Sequence, residues 1–247
     1  MKETLVEICH RLYACGFVTA TDGNVSARLE NGNILTTRTA INKGMVTLDD
    51  LVELDGSGRV ITENRQPSTE LPMHLYIYGE RTDVNAVVHA HPTYATGFAA
   101  ARQPLEACVF PEVIVGLGAV PLAEYATPST EEVAQSLAPY VKIANAILLA
   151  NHGVVTYGAD LWDAYFKMEK VEHAAHIMFV ARVLGGERPL SAEDVEKLRV
   201  ISRSSYGKDF TGLIACRPGR SEEPGAPEAP TDEDIRDIVR QMLKKHR

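Results

Sequence analysis

Apolar residues recur along the chain at two spacings, and the succession of these spacings predicts helices packed on a sheet. The first helix ends near Gly16, which suits a helical C-terminus. Residues 25–29 then alternate in the manner of a strand, and Asn31-Gly32 is a strong hairpin turn into a strand at 33–37. The apolar face of the first helix consists of Leu5, Ile8, Cys9 and Leu12.

The rest of the pattern continues this mixture of strands and helices, which is typical of an α/β domain. Glycine and proline separate the elements, as expected for turns between them. In order, we predict a hairpin of 51–54 with 60–62, a helix capped by Ser68 and running to about Gly79, a strand ending at His91, a helix at 93–101, strands at 109–115 and 119–122, a helix at 130–140, strands at 146–150 and 153–158, and a long helix at 160–184.

Composition narrows the class of protein. The 247 residues carry a formal net charge of −8, which argues against nonspecific binding of nucleic acid. No apolar run reaches membrane-spanning length and the N-terminus lacks a signal-peptide pattern, so we expect a cytoplasmic protein. The cysteines show no CxxC pair, and we expect buried thiols in a reducing compartment: Cys9, Cys15, Cys108 and Cys216.

The strongest candidate for chemistry is a pair of histidines at the end of an apolar strand. His89 and His91 are two residues apart, so both imidazoles point to the same face of the strand before Pro92 ends it. Two partly exposed histidines at a sheet edge are the alternative interpretation. A second apolar strand ends similarly in Asn151-His152-Gly153, and a third histidine completes a zinc site whose open fourth position permits catalysis.

Two polar segments are candidates for an anion site. Residues 36–44 combine hydroxyls, amides and the cations Arg38 and Lys43, although a solvated loop would look the same. At the start of the predicted helix, Ser68 and Thr69 supply hydroxyls beside exposed backbone amides, which suits a phosphate. Glu70 in the same helical turn is explained either by the helix dipole or by catalysis.

The C-terminal region has a different character. Residues 217–230 are rich in proline and glycine and read as a linker, after a domain that we place at 1–216. Residues 231–247 have apolar positions at helical spacing. A short amphipathic helix on a tether must dock, either on its own domain or on a partner.

Four motifs in this order resemble the class II aldolase/adducin family, and in particular its fuculose-phosphate aldolases. They are Gly-Asn-Val-Ser-Ala-Arg at 23–28, Pro-Ser-Thr-Glu at 67–70, His-Ala-His-Pro at 89–92 and Asn-His-Gly at 151–153. The resemblance covers about residues 3–205. Non-enzymatic adducin-type members lack the histidines, so the motifs favour an enzyme over an interaction protein, which remains a remote alternative.

The resemblance implies a three-layer α/β/α domain with a mainly antiparallel central sheet, and a homotetramer with active sites at subunit interfaces. It implies Zn²⁺ held by His89, His91 and His152, with Glu70 as the catalytic acid/base and a ligand when substrate is absent. The implied activity is cleavage of a deoxy-ketose 1-phosphate (fuculose, rhamnulose or 5-deoxyribulose type) to dihydroxyacetone phosphate and a small aldehyde. The implied phosphate-binding residues are Asn24, Thr39, Ala40, Ser68 and Thr69.

Three positions depart from the family pattern. Phe110 stands where these aldolases carry a tyrosine acid, so Tyr206 or Glu112 becomes the candidate proton donor. Ala40 replaces the usual glycine of the phosphate loop, and its backbone N–H survives. Arg38 replaces a common proline and adds a cation that can contact phosphate or a carboxylate.

Other activities on the same fold remain open. A phosphorylated keto-acid decarboxylase would use Arg38 to hold the substrate carboxylate. A sugar-phosphate 4-epimerase would have aspartate in place of Glu70, which ranks it lower. The C-terminal helix resembles the peptides that send enzymes into bacterial microcompartments, and a shell protein is therefore an expected partner; docking on its own subunit is the alternative.

Overall fold

The computed structural model describes residues 1–206 and 212–218, and seven strands of this part form one sheet in the order β3-β2-β1-β4-β7-β6-β5. The strands are β1 (Asn24–Arg28), β2 (Ile34–Thr37), β3 (Leu51–Leu54), β4 (Ala86–Ala90), β5 (Leu122–Ala123), β6 (Ala146–Leu149) and β7 (Gly153–Gly158). The helices are α1 (Lys2–Ala14), α2 (Leu71–Glu80), α3 (Thr93–Ala100), α4 (Pro111–Ile114), α5 (Glu131–Leu137), α6 (Leu161–Val183) and α7 (Ala192–Tyr206).

The sheet separates two apolar layers. Every strand pair is antiparallel except β5 with β6. One face packs against α1, α3 and α6 through residues such as Leu5, Val88 and Met168, and the other packs against α2 and α5 through residues such as Ile77 and Val87. Because neighbouring residues of a strand face opposite sides, Val87 and Val88 serve different layers. The predicted three-layer α/β/α fold is confirmed.

Most predicted elements agree with the structure, but the segment around residue 110 does not. Residues 109–115 were predicted to be a strand, and they contain the short helix α4. Pro111 lies in the first turn of that helix, where its missing N–H costs no hydrogen bond. Residues 119–122 were also predicted to be a strand. Val120 makes an isolated bridge to Leu105, and Leu122 is the first residue of the two-residue strand β5.

The start of α2 also differs from the prediction. The helix begins at Leu71, so Glu70 occupies the capping position that we assigned to Ser68. The hydroxyl of Ser68 still accepts a hydrogen bond from the backbone N–H of Glu70, at 3.3 Å. Glu70 is therefore free to direct its carboxylate away from the helix axis.

The prediction of four thiols is wrong for two cysteines, because Cys108 and Cys216 form a disulfide. Burial keeps Cys9 a thiol and raises its pKa to about 12. Arg217, predicted as the first linker residue, is held against the chain by hydrogen bonds to the backbone of Glu106 and Cys108. The remaining linker residues 219–230 and the predicted helix 231–247 lie outside the described residues. Among the helices that the structure does describe, none combines the length and apolar character needed to cross a membrane.

Candidate metal centre and active site

The first two histidines of the site come from the middle of the sheet. β4 lies between β1 and β7, and in its register His89 faces Asn24 on one side and Val155 on the other. The position is interior and not at a sheet edge, so His89 is fully buried. His91 follows the last residue of β4, and its backbone N–H donates to the carbonyl of Phe17. The alternative of two exposed edge histidines is therefore wrong.

The third histidine reaches the same point from the turn between β6 and β7. Asn151 takes a left-handed backbone conformation with φ of 57°, which asparagine tolerates well. This turn brings the His152 ring within 4.7 Å of the His89 ring and 5.0 Å of the His91 ring, measured between centroids. One ligand nitrogen from each of the three histidines lies within 4.8 Å of the others. The predicted histidine cluster is thus present.

Two glycines make room for this cluster. A Cβ on Gly153 would lie 2.5 Å from Cδ2 of His91 and 2.6 Å from the carbonyl oxygen of Ala90. A Cβ on Gly23 would lie 2.8 Å from the carbonyl oxygen of His89, and Gly23 also has φ of 71°. Both glycines of the sequence motifs are therefore required by close approach of the backbone to the histidine strand.

Hydrogen bonding and burial prepare the histidines to act as ligands. Nδ1 of His89 lies 2.9 Å from the carbonyl oxygen of Val154, which fixes the proton on Nδ1 and leaves Nε2 with its lone pair. Nε2 of His91 lies 3.0 Å from Nε2 of His89. Burial lowers the pKa of both rings, so they are neutral, as metal ligands must be.

Glu70 places its carboxylate over the cluster. Oε1 lies 3.2 Å from Nε2 of His152, Oε2 lies 3.4 Å from Nε2 of His89, and the side-chain amide of Asn24 donates to Oε2 at 2.8 Å. Burial alone would raise the pKa of Glu70, but the hydrogen bonds from His152 and from the Asn24 amide favour the carboxylate form and lower the pKa. The carboxylate is therefore ionised and faces the three rings.

This donor set fits a divalent cation such as zinc. Three neutral imidazoles and one carboxylate converge, and zinc prefers these ligand types. The hydrogen bond that fixes the tautomer of His89 is the kind of support that metal-ligating histidines generally receive. The residues that would hold the ion are His89, His91, His152 and Glu70.

The candidate anion site is assembled from two adjacent segments. The backbone N–H of Thr39 donates to the carbonyl of Gln66, and that of Ser68 donates to the carbonyl of Thr37, so the two loops run side by side. Ala40 has φ of 53°, a conformation that normally favours glycine. The hydroxyl of Thr69 accepts from Ser129 at 3.0 Å. The loops meet beside Glu70, whose carboxylate in turn contacts Asn24.

The two cations of this region differ in their surroundings. Nε of Arg38 donates to Asp50 at 2.7 Å and the guanidinium also contacts the carbonyl of Thr39, so part of its hydrogen-bonding capacity is already used. Lys43 is buried, and its Nζ donates to the carbonyls of Thr21 and Ile41. Burial lowers the pKa of Lys43. Lys43 therefore connects the turn before Asn24 with residues 36–44, the first segment of the candidate anion site.

The structure does not bring the candidate proton donors to the cluster within the described residues. Phe110 packs on α6, with its ring 5.9 Å from the ring of His173. Glu112 lies exposed in the first turn of α4. No hydrogen bond, ion pair or ring contact joins either residue to the three histidines in the part of the chain that is described. Tyr206 is the last residue of α7, and its side chain lies outside the described residues.

Sequence reasoning missed a buried polar chain behind Asn24. Nε2 of His74 lies 2.6 Å from Oδ1 of Asn24, and Nδ1 of His74 lies 2.7 Å from the hydroxyl of Ser26. The hydroxyl of Tyr78 lies 2.8 Å from that of Ser26. A signal was present, since Asn24 and Ser26 share one face of a strand and His74 follows Glu70 by one helical turn.

Comparison with known proteins agrees with this fold and site. Residues 3–179 match the model of the Class II Aldolase and Adducin N-terminal domain family. Since the match spans most of the chain, the protein belongs to this family of aldolase-type proteins.

Relatives of known name carry two activities. The chain is 34% identical over 176 residues to an L-fuculose phosphate aldolase of Methanococcus maripaludis, covering 71% of this chain and 94% of the relative. It is 32% identical over 206 residues to a 3-oxo-tetronate 4-phosphate decarboxylase of Escherichia coli, covering 81% of this chain and 95% of the relative.

Solved structures show the same division. An L-fuculose 1-phosphate aldolase superposes with a TM-score of 0.74 at 34% identity, covering 80% of this chain and 93% of that one. YgbL from Escherichia coli, described as an aldolase/epimerase/decarboxylase, has a TM-score of 0.74 at 31% identity, covering 80% of this chain and 97% of that one.

Proposed function

We propose that the protein is a zinc-dependent aldolase that cleaves a deoxy-ketose 1-phosphate into dihydroxyacetone phosphate and a small aldehyde. The observation that carries the proposal is the convergence of His89, His91 and His152 under the Glu70 carboxylate. The substrate class is supported by the similarity to fuculose phosphate aldolases. Fuculose, rhamnulose and 5-deoxyribulose 1-phosphates are the candidates.

In this proposal, zinc held by the histidines supplies Lewis-acid stabilisation of the negative charge that develops beside the substrate carbonyl. Glu70 exchanges a proton with the carbon that bears this charge. Its carboxylate is ionised and largely shielded from solvent, with 16% of the side chain exposed. In cleavage it would take up the proton that leaves the substrate hydroxyl as this becomes the aldehyde, through the second acid/base group, and would then give a proton to the carbon.

In the proposal, the candidate anion loops (residues 36–44 and the segment of Ser68 and Thr69) bind the substrate phosphate, away from the reacting carbons. The backbone amide of Ala40, the hydroxyls of Thr39, Ser68 and Thr69 and the second amide N–H of Asn24 would hold the phosphate. A phosphate bound there orients the reacting carbons over Glu70, and its binding energy is used for positioning. Arg38, already paired with Asp50, would add positive charge at the rim of this seat.

A panel of sugar phosphates tests the proposal. Zinc-loaded protein is incubated with fuculose, rhamnulose and 5-deoxyribulose 1-phosphates, and dihydroxyacetone phosphate is measured by a coupled dehydrogenase. We expect release from at least one of them, lost in His91→Ala and retained in the control His10→Ala. His10 lies on α1 and its ring contacts the backbone carbonyl of Val46. No release from any substrate by protein that binds zinc would refute the aldolase activity.

The second candidate is decarboxylation of a phosphorylated keto acid. It is favoured by the decarboxylase relative and by Phe110, which cannot exchange a proton with the substrate oxygen that becomes the aldehyde. In this reaction Arg38 would hold the substrate carboxylate. Release of carbon dioxide from a 3-oxo-tetronate 4-phosphate, without dihydroxyacetone phosphate, would replace the first proposal by this one. The candidate acids Tyr206 and Glu112 would then have no aldehyde oxygen with which to exchange a proton.

Assembly is part of the proposal. We expect a homotetramer, in line with the family resemblance, in which a neighbouring subunit brings the missing proton donor to the site. We also propose that residues 231–247 target the protein to a microcompartment shell. Truncation after residue 218 keeps the contacts of Arg217 and should abolish co-purification with shells while leaving catalysis unchanged. Unchanged shell association, or loss of activity on truncation, would contradict shell targeting.

A further inference from the structure

The buried polar chain behind Asn24 is a series of hydrogen bonds from Glu70 through Asn24, His74 and Ser26 to Tyr78. Donors and acceptors can alternate along it in only one direction. The side-chain amide of Asn24 donates its N–H to Oε2 of Glu70 at 2.8 Å, because a carboxylate can only accept. The oxygen of the same amide then faces His74 and must accept a hydrogen bond, which Nε2–H of His74 has to donate. Each bond therefore dictates the next one, starting from the carboxylate.

The same logic continues to the far end of the chain. With its proton on Nε2, His74 has a lone pair on Nδ1, which accepts from the hydroxyl of Ser26. The oxygen of Ser26 then accepts from the hydroxyl of Tyr78. Ser26 and His74 are fully buried and Tyr78 is 5% exposed, so solvent water is not available to replace a partner.

Tyr78 itself is held from a second direction. The guanidinium of Arg28 lies over its ring at 5.0 Å and donates to its backbone carbonyl at 2.8 Å. Tyr78 and His74 lie one turn apart on α2, which also carries Glu70 at its start. Asn24, Ser26 and Arg28 of β1 thus form a row of polar contacts with His74 and Tyr78 of α2.

From this geometry we propose that His74 is a positioning residue for the reaction. Ser26 and Tyr78 hold its ring as the Nε2–H tautomer, and this N–H orients the side-chain amide of Asn24. The oriented amide then gives the two carboxylate oxygens of Glu70 different roles. Oε2 is occupied by the amide N–H. Oε1, which faces His152, is left to take and return the proton.

The expected effect on kcat/KM rests on the proposed function. The first test, which measures the tautomer of His74, does not depend on it. Full-length, metal-free protein is labelled with ¹⁵N-histidine, and two-bond ¹H–¹⁵N correlations report the tautomer of each ring. We expect His74 as the neutral Nε2–H tautomer and His89 as the Nδ1–H tautomer. Asn24→Ala removes the acceptor that faces Nε2 and should therefore release the constraint and populate the other tautomer of His74. A charged His74, or the Nδ1–H form in the unmodified protein, would overturn the proposal.

The second test measures zinc affinity by competition with a chelator. Mutation of residues that hold a metal ligand in place by hydrogen bonds typically lowers metal affinity or activity by about 10–100-fold. We therefore expect His74→Leu to weaken zinc binding within that range, because Glu70 loses its orientation. His74→Gln, which can donate to Asn24 and accept from Ser26, should restore much of it. Ile77→Val on the same helix removes buried volume without touching the chain and is the stability control. Equal weakening in this control would assign the effect to folding and overturn the proposal.

A double-mutant cycle then asks whether His74 acts through Asn24. If it does, His74→Leu should cost about 10–100-fold in a wild-type background and little in an Asn24→Ala background, for zinc affinity and for kcat/KM alike. Additive losses would refute an action through Asn24. Should the protein bind zinc but cleave none of the sugar phosphates, the tautomer and affinity results would still stand, so failure of the proposed function is distinguishable from failure of this inference.

Discussion

Replacement of Gly153 by alanine tests the packing that holds the histidines together. The added Cβ would approach Cδ2 of His91 to 2.5 Å, about 0.9 Å closer than the 3.4 Å of an ordinary contact. The other close atom is the carbonyl oxygen of Ala90, which is fixed because Ala90 pairs with Val154 in the sheet. The His91 ring therefore has to move.

The size of the effect follows from these distances. A displacement of about 1 Å at a catalytic constellation costs on the order of 100-fold in rate, and overpacking of a tight core costs about 1–3 kcal/mol of stability. We therefore expect Gly153→Ala to lower zinc affinity and activity by roughly two orders of magnitude and the unfolding free energy by a few kcal/mol. Zinc affinity is measured by chelator competition and stability by urea unfolding of the metal-free protein.

Gly97 provides the matched control. It lies in α3, shortly after His91, and a Cβ there would meet no atom within 4 Å. Gly97→Ala should leave zinc affinity unchanged and raise stability by up to about 1 kcal/mol, since alanine is the better helix former. If Gly153→Ala bound zinc as tightly as the wild type, the close contact with His91 would not position that ring, and the reasoning would be refuted.

Two further outcomes concern stability. Burial lowers the pKa of His74 to about 4, below the unfolded value near 6.5, so the neutral ring stabilises the fold above pH 6.5 and this contribution, on the order of 3 kcal/mol, is lost as the pH falls toward 4. Urea unfolding of metal-free protein across this range should show a shallower pH dependence for His74→Gln, and an identical slope would contradict the assignment. The Cys108–Cys216 disulfide closes a separation of 108 residues, so a reductant should lower the unfolding free energy by about 2–5 kcal/mol in the wild type and not in the Cys108→Ser/Cys216→Ser variant. Labelling of all four cysteines in protein unfolded in denaturant without a reductant would show instead that the bond does not form.

The candidate site was largely predictable because its residues stand at chain positions with a strict geometric meaning. The i, i+2 spacing of His89 and His91 at the end of an apolar strand fixes a common face, and His152 repeats the pattern at the next strand end. What the spacing could not give was the strand order that puts β4 between β1 and β7, and hence the complete burial of His89. Local sequence does not specify which distant strand becomes a neighbour.

The sequence-based predictions were wrong where the local pattern allows more than one structure and tertiary contacts decide between them. The apolar residues around Val113 fit a buried strand and a short buried helix equally well, and Pro111 decides for the helix. The disulfide joins cysteines that are far apart in the chain, and their pairing has no sequence signal. His74 was overlooked because its role depends on Ser26 and Asn24, which only the fold brings next to α2.

The most direct test of the account is zinc-dependent release of dihydroxyacetone phosphate from fuculose 1-phosphate. The protein is stripped with a chelator, zinc is added back in steps, and product is measured for the wild type, Glu70→Gln and the surface control Glu196→Gln. We predict no activity in the stripped protein, recovery at one zinc per chain, and a loss of about 100- to 10,000-fold in Glu70→Gln alone at saturating zinc. Full activity without metal, or in Glu70→Gln, would contradict the claim that the three histidines and Glu70 carry the reaction.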